Sequence, residues 1–197
     1  MGINEHKSLL HWSYFLALEA DVEKLSRYLE FTADNFGAYS IEMAHILLAA
    51  SSEVDVVAKQ LCAQVAPESN GANIEQYRNI LRNKIPELEQ SVVTLPRYGL
   101  ELNPFKNWQE DKTPDWWKSH NNVKHQRDQH FSEANLKNVL NSMAGLFLVV
   151  LHYYRDVIEG RRIEPPPSIF TPPNTLASVC PSIGGRMALF YAEQHRR

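Results

Sequence analysis

The sequence predicts an all-α protein, an up-and-down bundle of four to five long helices followed by an extended, proline-rich C-terminal segment. Two observations predict the bundle: apolar residues recur at spacings of three and four through most of the chain, and strand-like alternation is scarce. A third observation sets a boundary, because five of the eleven prolines fall within residues 161–175. We therefore expect a helical bundle over residues 1–160, and a strap with a short C-terminal helix over residues 161–197.

The first half of the chain predicts three amphipathic helices, over residues 5–31, 40–64 and 73–85. In each of them the apolar residues share one helical face, and Asp, Asn and Gly residues mark the breaks between them. The three stripes are Phe15, Leu18, Val22, Leu25 and Leu29; Leu47, Ala50, Val54, Val57 and Leu61; and Ile74, Tyr77, Leu81 and Ile85. Residues 91–113 have no helical period, and we expect a long ordered loop there with a short extended piece.

The second half predicts two further helices. Thr113, Pro114 and Asp115 form a helix start, with a hydroxyl at the N-cap, proline at the first position and an acid in the first turn. This helix extends to about residue 130, with a break expected near Phe131 and Ser132. The last helix, over residues 132–159, is apolar on several faces and predicts a central, buried position, with Gly160 as its C-cap. Residues 184–197 are expected to close as the short C-terminal helix.

The composition limits the kinds of protein this chain can be. Its 197 residues and 22.6 kDa suit one domain, and 44% hydrophobic with 22% charged residues excludes a mainly disordered chain. The formal net charge of −3 excludes a strong overall field for nucleic acid but allows a local basic patch. No apolar run is long enough to cross a bilayer, and the N-terminal residues lack a signal-peptide pattern. We expect a cytoplasmic protein without a membrane partner.

The segment that can carry chemistry is the polar and aromatic stretch over residues 116–130. On an ideal helix, Trp117, Asn121, His125 and Asp128 lie along one face, and Lys124 flanks it. This face presents an amide, an imidazole and a carboxylate, with an ammonium group at its side. Such a set of groups can bind phosphate and transfer protons. The alternative is a solvated helix that holds its tryptophans in the core.

The same stretch resembles the signature of a branch of the HEPN superfamily. The matching residues are Trp116, Trp117, Asn121, Lys124, His125 and Arg127. Flanking segments resemble the family in the same order, at residues 39–61, 102–108 and 131–154. The resemblance covers about residues 8–158, and the proline-rich tail lies outside it.

The resemblance implies a helical bundle, a homodimer and a metal-independent endoribonuclease of bacterial defence, toxin–antitoxin or stress systems. In the family, an arginine, four to six intervening residues of which the first is usually polar, and a histidine form the active motif. His125 matches that histidine. The resemblance implies that a ribose 2′-hydroxyl attacks the adjacent phosphate, with the histidine moving protons and a cation holding the phosphate.

The resemblance also assigns roles residue by residue. Catalysis falls to His125, Lys118, Asn121 and Lys124; substrate binding falls to Arg127, Trp117 and His120; and Glu42, Glu53 and Asp128 support them. Glu42 and Glu53 are eleven residues apart, share one helical face, and are expected to buttress Lys124, His125 or Arg127.

The chain departs from the family motif at its arginine. The positions that the motif reserves for arginine hold Lys118, Ser119 and His120, and Lys118 lacks the guanidinium fork. This departure supports an alternative, a catalytically degenerate interaction module of the same fold. Such a module binds RNA without cutting it, or binds an antitoxin or another protein.

No cofactor or metal is expected. Glu42 and His45 form half of a di-iron motif, but the chain has no second Glu-x-x-His. His120, His125 and His130 are spaced by five, so they do not share a helical face. The chain also lacks Walker A, dinucleotide-binding, Gly-x-Ser-x-Gly and His-Glu-x-x-His motifs, which removes the common nucleotide-binding, hydrolase and zinc-protease classes.

Overall fold

The computed structural model describes residues 9–69, 71–156, 162–182 and 185–192. Within these ranges the chain forms five α-helices and two small antiparallel sheets. The all-α prediction is therefore wrong, although the helices still form the body of the molecule. No helix in the described ranges is both long and apolar enough to span a bilayer.

The five helices follow the predicted order, and the first, third and fifth are shorter than predicted. They are α1 (Leu10–Leu25), α2 (Ile41–Val65), α3 (Ile74–Lys84), α4 (Asp115–His130) and α5 (Leu136–Tyr154). The side chains of Ser40, Asn73 and Asn135 each accept a backbone N–H of the first turn and so fix the starts of α2, α3 and α5. The predicted cap at Thr113 is wrong, because Pro114 occupies the N-cap of α4 and no side chain caps it. Gly160, the predicted C-cap of the last helix, lies outside the described residues.

Helix α5 is the centre of the bundle, as its sequence predicts. Every residue from Ser142 to His152 is buried, and α5 packs along α2 with α1 and α4 on either side. Gly145 allows a close approach here, because a Cβ at this position would lie 3.0 Å from the Trp116 ring. The buried side of α4 is thereby fixed against α5.

The first sheet lies within the segment predicted as a loop. Strands β1 (Val93–Leu95) and β2 (Leu100–Leu102) pair as an antiparallel hairpin, with Val93 opposite Leu102. Gly99 adopts the left-handed conformation at the turn, with φ of 63°. Val93, Leu95 and Leu102 point into the core, so the hairpin covers one end of the bundle.

The second sheet corrects the predicted C-terminal helix. Strands β3 (Arg162–Ile163), β4 (Ala177–Pro181) and β5 (Met187–Tyr191) are ordered β3-β5-β4, so residues 187–191 form a strand. Five residue pairs join β4 to β5, and this long-range pairing outweighs the local helical preference. Tyr191 is buried and donates a hydrogen bond from its hydroxyl to the Leu151 carbonyl at 2.8 Å.

The proline-rich segment lies against α1 as a strap. The buried carboxylate of Glu19 accepts the backbone N–H groups of Ser168, Ile169 and Phe170 at 2.9–3.2 Å. Trp12 donates its indole N–H to the Pro165 carbonyl at 2.9 Å. Burial raises the pKa of Glu19 above its ordinary value, while the three N–H groups act in the opposite direction. The strap is thus part of the packed structure.

Candidate functional site

Helix α4 carries the predicted site and has two different sides. Trp116 and Trp117 are buried, and the Trp116 indole N–H donates to the Pro104 carbonyl at 2.8 Å. Trp117 is only 7% exposed, so it anchors the helix even though an ideal helix places it on the face of Asn121 and His125. The tryptophans therefore fix α4 while its other side stays in solvent.

The exposed side carries all four predicted catalytic residues: Lys118, Asn121, Lys124 and His125. Lys118 lies 3.9 Å from Asp115, which is a loose surface pair. Within the described ranges, the side chains of Asn121, Lys124 and His125 make no hydrogen bond or ion pair. An imidazole, an amide and an ammonium group are thus available to a ligand from solvent.

A kink at Gln126 interrupts α4 within the motif. Gln126 has φ of −144° and ψ of 49°, so the helix does not continue regularly from His125 to Arg127. The break that the sequence predicts near Phe131 is also present, as a short 3-10 turn, Phe131–Glu133, between α4 and α5. After the kink, Arg127 and Asp128 line an open cleft of about 800 Å³ with Ile41 and Phe131. The ideal-helix relation between His125 and Asp128 therefore does not hold.

His120 lies behind the exposed residues. It is 4% exposed, and both of its ring nitrogens are buried without a hydrogen-bond partner in the described part of the chain. Burial lowers its pKa to about 4, with a smaller contribution from the positive charge of Lys124. His120 is therefore neutral near pH 7, and its substrate-binding role, which stays a prediction, would require the site to open.

A polar network that the sequence did not reveal holds the end of α4. The Glu133 carboxylate accepts the Asn122 side-chain N–H at 3.0 Å and lies 2.7 Å from Nδ1 of His130. Burial acts to raise the pKa of Glu133, but the hydrogen bonds from Asn122, Ser119 and His130 lower it below its ordinary value. The only sequence signal was a His-x-x-Glu spacing, which places both side chains on one turn. This network joins α4 to the start of α5.

Two of the predicted supporting acids, Glu42 and Glu53, are on α2, and both lie on its α1 side. Glu53 is 2.6 Å from Nδ1 of His11 on α1, and Glu42 is exposed, 3.9 Å from His45. In the described part of the molecule, no hydrogen bond or ion pair joins either acid to Lys124, His125 or Arg127. The predicted buttress is not formed in this conformation.

The acid of α2 that approaches α4 is Asp55. It lines a cleft of about 440 Å³ with Trp117 and Asn121, at the N-terminus of α3. It also accepts a hydrogen bond from the Tyr77 hydroxyl at 3.1 Å and acts to raise the pKa of His120. On an isolated helix, Asp55 and Lys59 are an i,i+4 pair, and this local spacing does not reveal the tertiary position of Asp55.

The histidines of the motif do not gather around a common point. His120 is buried, His125 is exposed and His130 is bound to Glu133. Among the described residues, no group of three or more His, Cys, Asp or Glu side chains is placed to hold a metal ion.

No protein-family model matches the chain, and comparisons with curated proteins and with solved structures find no match. The features that bear on function are therefore those of the structure itself: the exposed residues of α4, the kink and the adjoining clefts.

Proposed function

We propose that the exposed end of α4 binds RNA, and that this protein is a HEPN-like, metal-independent endoribonuclease of a bacterial defence or stress system. His125 is its proton-transfer residue. The observation that carries the proposal is the state of His125: it is exposed and has no partner among the described residues, and the exposed cations Lys124 and Arg127 lie within two positions of it along the chain. We further propose that the protein is cytoplasmic and works as a homodimer.

The environment of His125 argues against a purely structural role. A histidine that holds a fold together normally has a hydrogen-bond partner, as the half-buried His11 has in Glu53. His125 and Asn121 are both exposed, and neither bonds within the described chain. An accessible imidazole can take up and release a proton near neutral pH, which is what transfer at a phosphate requires.

The cations close to His125 in the sequence suit a phosphate group. Arg127 and Lys124 are exposed, and neither is paired with an acid in the described ranges. A guanidinium group can donate two parallel hydrogen bonds to phosphate oxygens, and an ammonium group adds a compact charge. Arg127 can thus supply the fork that the family motif places before the histidine, although it follows His125 in this chain.

The proposed reaction needs no metal. His125 removes the proton of a ribose 2′-hydroxyl, and that oxygen attacks the adjacent phosphorus. The bond from phosphorus to the 5′-oxygen breaks, the leaving oxygen takes a proton from water, and His125 returns its proton to the hydroxide that remains. The products are a 2′,3′-cyclic phosphate and a 5′-hydroxyl end. Arg127 and Lys124 stabilise the charge on the phosphate as the bond breaks.

A second candidate is a non-catalytic module that binds an antitoxin or another protein. It is favoured by Tyr39 and Ile41, which are 52% and 62% exposed. Ile41 lines the same cleft as Arg127, so an apolar partner surface would meet the motif there.

The two candidates separate in a cleavage experiment. We would incubate the purified protein with a mixed RNA pool and EDTA, beside His125→Ala and beside His45→Ala as a control at an exposed histidine outside the motif. The proposal predicts fragments with cyclic-phosphate ends for the wild type and for His45→Ala, and none for His125→Ala. Absence of cleavage by folded wild-type protein would overturn the enzymatic proposal and favour the interaction module.

A further inference from the structure

Three clefts follow one another around the end of the bundle next to the α4 motif. The first contains Arg127 and Ile41, and the second contains Glu42 and Arg27. Ile41 and Glu42 are consecutive residues in the first turn of α2, so both clefts border that turn. The third contains Arg97 and shares Arg27 with the second. The three clefts therefore follow one another along a path from α4, past the first turn of α2, to the end of α1 and the β1–β2 hairpin.

The arginines along this path are unusual within the molecule. Of the arginines in the described ranges, only four have a guanidinium group without a hydrogen bond or ion pair: Arg27, Arg97, Arg127 and Arg186. Three of these four line the path. Most of the other arginines pair with acids, as Arg82 does with Glu89 at 2.8 Å. Free guanidinium groups are the side chains best suited to bind successive phosphates.

Four acids line these clefts; three of them have contacts elsewhere, and the fourth, Asp128, lines the first cleft with Arg127 but forms no ion pair with it in the described chain. Asp21 pairs with Lys24 at 2.8 Å, and Glu23 accepts the Ser168 hydroxyl on the strap at 3.5 Å. Glu42 is nearest to His45. Because no acid in the described chain pairs with Arg27, Arg97 or Arg127, these three charges remain available to an anionic ligand.

Exposed aromatic rings accompany the arginines. Tyr28 is 86% exposed, the most exposed of the large hydrophobic residues in the described ranges, and it lines the second cleft. Tyr39 is 52% exposed and stacks edge-on against Phe131 of the first cleft. Rings held in solvent beside cations provide stacking surfaces for unpaired bases, whereas the bases of a duplex are already stacked.

We propose that single-stranded RNA lies along this path, which we call the arginine track: Arg127, Tyr28, Arg27 and Arg97. The inference rests on the proposed function, because the α4 motif fixes where the scissile phosphate lies. The track adds that the ligand is unpaired and extends several nucleotides beyond the reacting phosphate. Phosphates contact the arginines, and at least one base stacks on Tyr28.

The test is a binding measurement on RNA that cannot be cut. We would follow the fluorescence anisotropy of labelled 2′-O-methyl oligouridylates, because the methyl group blocks attack by the 2′-oxygen. A long oligomer of about 12 nucleotides reaches the whole track, and a short one of about three reaches only the α4 motif. The variants are the double variant Arg27→Glu with Arg97→Glu, Tyr28→Ala, and Arg186→Glu as the matched control at the fourth unpaired arginine.

The expected results depend on length. The double variant should weaken binding of the long oligomer about 10-fold or more and lower its salt slope by about 1.4, since each phosphate contact on a single strand contributes about 0.7. Tyr28→Ala should weaken it roughly 5- to 100-fold. The short oligomer should bind within about twofold of wild type, and Arg186→Glu should leave both unchanged. All these residues are exposed, and a thermal melt of each variant checks its folding.

The outcomes separate the track from the proposed function. If the track variants weaken the long oligomer no more than Arg186→Glu does, the track is overturned, even where cleavage still depends on His125. If they weaken it while RNA is never cut, the track stands and the enzymatic proposal fails. The track would also be overturned if the protein bound an equally long RNA duplex as tightly as the single strand, or if it bound neither of them.

Discussion

Glu19 on α1 and His125 on α4 are both ionisable residues within helices, yet their surroundings are opposite. Glu19 is 2% exposed, and its carboxylate accepts three backbone N–H groups of the strap. His125 is exposed and has no partner in the described chain. A buried charge must have such partners to persist, whereas an exposed group without partners costs the fold little. The comparison assigns Glu19 to stability and leaves His125 free for a ligand.

Helix α4 shows the same contrast across its own width. Trp116, Trp117 and His120 are buried on one side, and Asn121, Lys124 and His125 are in solvent on the other. We therefore expect the stability of the fold to depend on the buried residues of α4, and its function to depend on the exposed ones.

The largest effect on stability is expected at Glu19. Glu19→Ala leaves three backbone N–H groups of the strap without their acceptor, and should destabilise the fold by about 3–5 kcal/mol. For a chain of this length that lowers Tm by roughly 6–15 °C. The measurement is thermal unfolding beside Asp21→Ala, which removes only a surface ion pair. Equal melting temperatures for the two variants would show that the strap does not depend on Glu19.

Acid should destabilise the protein through its buried histidines. Burial lowers the pKa of His120 to about 4 and that of His152 to about 3, so both stay neutral in the fold. The unfolded chain binds their protons near pH 6.5, so stability is full above that pH and is lost as pH falls towards 4. Glu19, with its raised pKa, acts in the opposite direction.

The contribution of His120 can be isolated by substitution. When the pH falls from about 7 to 5, protonation of His120 in the unfolded chain should lower the free energy of unfolding by roughly 2 kcal/mol. His120→Phe should abolish this part of the pH dependence. Denaturant unfolding at the two pH values measures the change. His45→Ala, at an exposed histidine, should keep the wild-type pH dependence. A His120→Phe protein with unchanged pH dependence would contradict the buried, neutral state.

Packing on the buried side of α4 gives a smaller effect. Gly145→Ala places a methyl group 3.0 Å from the Trp116 ring and should cost about 1–2 kcal/mol. Gly37→Ala is the matched control, because nothing lies within 4 Å of its added Cβ. Chemical denaturation of both variants measures the difference. If Gly145→Ala were as stable as Gly37→Ala, the close contact between α4 and α5 would not be tight.

The smallest effect on stability is expected on the exposed side of α4. Asn121→Ala and His125→Ala should each change the free energy of unfolding by less than about 0.5 kcal/mol, because neither residue has a partner to lose. A loss of 2 kcal/mol or more in denaturant unfolding would mean that these residues hold the fold together, as the structural interpretation requires.

Much of the helical architecture could be predicted from the sequence, because each helix carries its own apolar period. The start of α5 was misplaced by a few residues, since Asn135 caps it rather than Ser132. The strands were predicted only as a short extended piece within residues 91–113, and the pairing in both sheets was missed for a different reason. Residues 93–95 and 187–191 are short, and their structure depends on pairing partners that local patterns do not reveal.

The site was predicted in its residues but not in its shape. Helical spacing correctly placed Asn121 and His125 on one side of α4, whereas the burial of Trp117 and His120 depends on neighbouring helices. No proline or glycine near Gln126 indicates a kink, so the position of Arg127 could not be predicted from the sequence. The hypothesis that Glu42 and Glu53 face the motif assumed the wrong side of α2.

The most direct test of the central claim is the rate of metal-free RNA cleavage by His125→Ala, expressed per folded protein. The account predicts that the wild type releases fragments with cyclic-phosphate ends, and that the variant, with an unchanged Tm, is slower by at least about 100-fold. A folded variant that cuts RNA as fast as the wild type would contradict the role of His125, and the exposed end of α4 would then not be an active site.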